Sequence, residues 1–215
     1  MMRPAGLLLA LGSAGVVLTS IFYLLSPPHA AAPVIPPNLQ AALEGAVSGA
    51  ATMRGAGLSG VPGDMLIAAA GLSIGLGEAL RGRGLATLGW FLVALSTMIF
   101  AIVDALVGFV LPPTAASAPE AFPGAKYLFD ILFIAGTFTF GIGAILALWP
   151  RRRDPEIRLP RFLLFPAIIF GAVAAFGGIA GGLGANTYQV MGLGILGGAL
   201  VFTLIGVSIA RFGEI

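Results

Sequence analysis

The sequence predicts an all-α integral membrane protein, a bundle of six transmembrane helices with both termini in the cytoplasm. Three observations predict it. Of 215 residues, 58% are hydrophobic and only 9% are charged, whereas an ordinary soluble domain carries about 25% charged residues. The apolar residues form long uncharged runs, unlike the short alternating segments of a membrane barrel. The cations between those runs fall almost entirely on one side.

A hydrocarbon core about 30 Å thick takes roughly 20 helical residues at about 1.5 Å rise each. Six runs reach that length within a single transmembrane domain spanning 1–215: residues 5–25, 58–80, 85–111, 127–149, 162–183 and 188–210. Helices also satisfy every backbone N–H and C=O internally, as lipid demands. The first run has the basic start and trailing "HAAA" of a secretory signal. Its apolar stretch is too long for one, and Pro33 would follow the cleavage point, so it is expected to persist as a span.

The long outer loop, 26–57, begins with Pro27, Pro28, Pro33, Pro36 and Pro37, which are expected to forbid a helix there. From Asn38 onward Leu39, Leu43, Ala46, Val47, Ala50 and Met53 recur at helical spacing. That pattern predicts a short amphipathic helix, capped by Asn38, on the outer interface or over the bundle mouth. Gly45 and Gly49 pull toward an irregular loop, at about 1 kcal/mol each.

The second and fourth spans share a pattern. "DMLIAAAGLSIGLG" from Asp64 and "DILFIAGTFTFGIG" from Asp130 match at Asp, Leu, Ala and two Gly. Both run inward and return through an Arg-containing turn, as a parallel hairpin repeat would. In so glycine-rich a chain, chance is the competing explanation.

Orientation follows from the connections. Arg3, Arg81, Arg83, Arg151, Arg152, Arg153, Arg158, Arg161 and Arg211 lie on one side, and only Arg54 and Lys126 on the other. By the positive-inside rule the Arg side is cytoplasmic, which suits a multi-pass protein of a bacterial-type cytoplasmic membrane. Trp90 and Trp149 then read as inner interfacial anchors, with Tyr23, Tyr127 and Tyr188 as outer ones.

The charged residues near or inside spans carry the functional argument. Glu78 precedes Arg81 by three residues, which a boundary ion pair explains. Asp104 lies seven residues before Leu111, about 10 Å below the outer end of its helix. An aspartate facing lipid near the bilayer centre costs about 2.5–3.5 kcal/mol, so Asp104 is expected to face the bundle interior. Asp130 follows Lys126 by four residues, an expected partner. Asp64, Asp104, Asp130, Asn186, Tyr188 and Gln189 all lie toward the outer side and would line one outward-facing polar pocket. Gly71, Gly75, Gly141, Gly178 and Gly182 supply close-packing helix faces.

Other chemistry finds little support. There is no cysteine, and the one histidine, His29, lies in a Pro/Ala-rich stretch, so neither a thiolate nor a histidine metal cluster is expected, and no cofactor. "GLSIG" at Gly71–Gly75 matches the serine elbow, but Ser73 sits mid-helix with no base in any span's interior. "GLGILG" at Gly192–Gly197 matches the dinucleotide fingerprint but follows no strand. A net charge of +2 without basic blocks near aromatics gives nucleic acid no footing. The expectation is therefore a non-catalytic accessory or structural subunit, partnered by lipid and other membrane proteins. The alternative is a small transporter or channel for protons, cations or a polar solute, centred on Asp104.

Overall fold

The computed structural model describes residues 2–153 and 159–213, and every regular element among them is helical. Six helices are long and apolar enough to cross a membrane. The spanning helices are α1 (Met2–Leu25), α4 (Ala50–Leu80), α5 (Gly84–Ala105), α7 (Phe122–Leu148), α8 (Arg161–Gly182) and α9 (Tyr188–Phe212). Three short helices lie between them: α2 (Pro28–Ala31), α3 (Leu39–Ser48) and α6 (Leu111–Ser117). A π-helical turn, Leu106–Val110, joins α5 to α6 and extends that span to Ser117.

Each spanning helix packs against its neighbours in the chain, and α9 closes against α1, so the six form a ring. Lipid offers no hydrophobic drive to bring helices together, so close backbone packing must supply the attraction. The glycines supply it. A Cβ on Gly6 would stand 2.4 Å from Ala210 N, and one on Gly206 2.5 Å from Ala10 N, which closes the α1/α9 seam near the chain termini. Gly141 would meet Gly171 O and Ala175 N at 2.4 Å across α7/α8. Gly71 faces Trp90 and Ala94, Gly75 faces the Phe91 ring, and Gly178 faces Phe138. Gly182 differs from the expectation: it is exposed, and its nearest neighbour would be Ile134 at 3.8 Å, an ordinary contact.

The two ends of the ring are built differently. At the end holding both termini, Glu78 is fully buried and paired with Arg81 at 3.3 Å, Arg83 at 3.9 Å and the buried Arg151. The simple boundary pair with Arg81 is thus a multi-arginine cluster tying the α4/α5 turn to the end of α7. Arg158 lies outside the described residues.

The opposite end carries a lopsided cap of 26–49. Its prolines do not exclude helix altogether: Pro28 opens the single turn α2 from the first helical position, where a missing N–H loses nothing. Asn38 Oδ1 accepts from Ala41 N at 3.2 Å and starts α3. Helix α3 rests on α2, α6 and α7. It ends at Ser48, so Ala50 and Met53 belong to α4. The cap covers the α6/α7 side of the ring and contributes nothing to the α1/α9 side's cavity lining.

Two aromatic anchors expected at interfaces are interior. Trp90 is fully buried, with its ring 5.8 Å from Phe202, and Tyr23 is 9% exposed. Trp149 and Tyr127 remain half exposed.

Candidate functional site

A cavity of about 380 Å³ opens between α1 and α9 in the half of the ring nearest the cap. On α1 it is lined by Val16, Thr19, Ser20, Tyr23 and Leu24, a single helical face. Leu24 and Leu193 are 68% and 57% exposed and form its lips. Its floor is Asp64 from α4 and Asp104 from α5, 2% and 4% exposed.

The geometry of the acids is specific. Tyr23 Oη donates to Asp104 Oδ1 at 2.8 Å. The Asp64 carboxyl, from α4, borders the same cavity as that of Asp104. Gly60 makes room for this: a Cβ there would fall 1.6 Å from Asp104 Oδ2. Close by, Gly57 and Gly108 bring α4 against the π-helical turn that follows Asp104.

Below Asp64 is a second void of about 20 Å³, bordered by Ser13, Thr97, Phe140 and Phe202. Ser13 Oγ and Asp64 Oδ2 are both buried without a hydrogen-bond partner, and the space suffices for one water. Deeper still, Phe140 and Phe202 meet at 5.5 Å and Phe202 meets Trp90 at 5.8 Å. These rings, with the Glu78 cluster beyond them, fill the ring toward the termini.

The structure brings Asp64, Asp104, Tyr188 and Gln189 to one cavity and separates two other candidates from it. Asn186 is exposed in the α8–α9 turn. Asp130 is fully buried elsewhere, paired with the fully buried Lys126, whose Nζ also donates to Ala32 O at 3.0 Å under the cap. Tyr23 was the residue that sequence reasoning missed. Tyrosine near a helix end is the ordinary sign of an interfacial anchor, and only the helix packing turns this one inward. Among the described residues no cluster of three or more His, Asp or Glu side chains is placed to hold a metal. The chain matches no known protein family, no curated protein and no solved structure.

Proposed function

We propose that the chain is a small multi-pass transporter that moves a cation, the proton included, through the site formed by Asp104, Asp64 and Tyr23. One observation carries this reading: a cavity that opens between α1 and α9 terminates on two buried acids, Asp104 and Asp64, and no Lys, Arg or His among the described residues lines it. An intramembrane carboxylate without a counter-charge is expensive to keep and marks an ion pathway. Phe140, Phe202 and Trp90 fill the ring beyond Asp64, so the cavity does not run through the bundle, which favours a carrier over an open pore. With the Arg end cytoplasmic by the positive-inside rule, the cavity would lie in the outer half of a bacterial-type cytoplasmic membrane.

The accessory-subunit reading rests on glycine-rich faces, short connections and the lack of a cofactor ligand set. Gly71, Gly75, Gly141 and Gly178 meet helices of the same chain, so those four glycines do not call for a partner.

The test is flux in proteoliposomes, followed with a trapped pH indicator, with radioactive sodium and with a radiolabelled quaternary ammonium. Asp104→Asn keeps an oxygen to accept from Tyr23 and should fold, while flux falls at least tenfold. Equal flux through wild type and variant, or none through wild type, would sink the proposal.

A further inference from the structure

We propose that the cavity's occupant is an amphipathic organic monocation, an ammonium group on an apolar body, which enters sideways from the lipid between α1 and α9. This deepens the preceding reading and rests on its assignment of Asp104 and Asp64 as a cation site.

The lining decides the class of cation. A hard metal ion takes six or more oxygens in place of its hydration shell, and this cavity has few to give. Besides the two acids, the polar lining is limited to Thr19, Ser20, Tyr23, Tyr188 and Gln189, and the Thr19 and Ser20 hydroxyls are held against their own helix, at 2.9 Å to Gly15 O and 2.9 Å to Val16 O. The remaining walls are largely apolar, with Val16, Leu24, Ile195 and Leu196 among them. An ammonium with apolar substituents needs little from oxygen and gains from aromatic faces. Three rings stand together above the acids: Phe133 lies 6.0 Å from Tyr23 and 5.7 Å from Phe100, edge to face in both cases. Asp104 and Asp64 are the acids an ammonium would meet, and no Lys, Arg or His is among the described residues that line the cavity.

The shape decides the route. The α1/α9 seam is closed by backbone contact at Gly6 and Gly206, and the cavity occupies the same seam nearer the cap. Its lips, Leu24 and Leu193, are exposed leucines of spanning helices, apolar surface suited to acyl chains. A volume of about 380 Å³ lies at the small end of ligand sites. It takes a headgroup and a short apolar stem, with a longer tail left in the bilayer.

The experiment measures equilibrium binding of octyltrimethylammonium to the full chain in phosphatidylglycerol nanodiscs, which bring no ammonium headgroup, with empty discs subtracted. Octyl sulfate is the matched anion and sodium the small cation. Octyltrimethylammonium should bind saturably, octyl sulfate and sodium should not displace it, and Asp104→Asn should weaken it at least tenfold. Gly192 lines the cavity with open space around it, so Gly192→Leu folds and should weaken binding at least tenfold by filling the entrance. Addition of phosphatidylcholine tests the other source of the same chemistry, and displacement by it would assign the site to a lipid headgroup and overturn a free cation. Unchanged affinity in Gly192→Leu, or equal binding of octyl sulfate, would also overturn the proposal. Binding without flux would sink transport and keep this site. Proton or sodium flux without octyltrimethylammonium binding would do the reverse.

Discussion

Two buried sites in the same half of this ring each hold an aspartate and differ in what stands beside it. Asp130 has Lys126 four residues away on its own helix, and the cap folds Ala32 O onto the ammonium. That site is neutral, sealed and fully buried. Asp104 has Asp64 across a helix interface, a tyrosine hydroxyl and an open cavity. The first pair has the composition of a structural staple, since its charges cancel locally and nothing can reach them. The second places two acids beside an opening with no Lys, Arg or His among the described residues lining it, which a fold seeking only stability would have little reason to retain.

The contrast can be broken most forcefully at Lys126. Lys126→Met leaves Asp130 buried without its cation, and should destabilise the bundle by about 3–5 kcal/mol, read by unfolding in mixed micelles. Adding Asp130→Leu should recover most of that loss, and failure to recover would mean that the pair does more than neutralise itself. Gly60→Ala attacks the other pair through space alone. The new methyl would collide with the Asp104 carboxyl, with an overpacking cost of about 1–3 kcal/mol. Flux should fall to the level of Asp104→Asn, and a variant as active as wild type would show that the placement of Asp104 is immaterial.

Tyr23→Phe removes the hydroxyl that donates to Asp104. Its effect on stability should be about 1 kcal/mol, with a clear loss of cation affinity; unchanged affinity would reduce Tyr23 to a wall. The smallest effect belongs to Gly182→Ala, within about 0.5 kcal/mol, because that glycine contacts almost nothing. Gly141→Ala in the same assay is the reference for a glycine against backbone, and similar values for the two would undo the packing argument.

How much was legible can be judged residue by residue. Lys126 and Asp130 are a local pair, four apart on one helix, and such spacing is visible in one dimension. Asn38 as a helix cap is equally local. Asp104 announces itself because charge within an apolar run is costly wherever the helix points. Its partners do not. Asp64 and Tyr23 are 40 and 81 residues away, and one resembled a boundary charge and the other an interfacial anchor. Glu78 was legible as an ion pair with Arg81, but Arg151 was hidden by a separation of 73 residues. Asn186 shared only a level in the membrane with the site, and level does not fix the direction in which a side chain points.

The sequence by itself determined that six helices are long and apolar enough to span a membrane, and which polar residues must be accounted for. It did so because hydrophobic length and buried charge are properties of each segment against its solvent, and need no neighbour. Only the tertiary structure decided that α9 closes on α1, that their seam opens near the cap, and that Asp64, Asp104 and Tyr23 meet there. Helix rotation and partner choice in lipid rest on the fit of small side chains against backbones. That fit is a relation between surfaces far apart in the chain, and it exists only once the ring has closed.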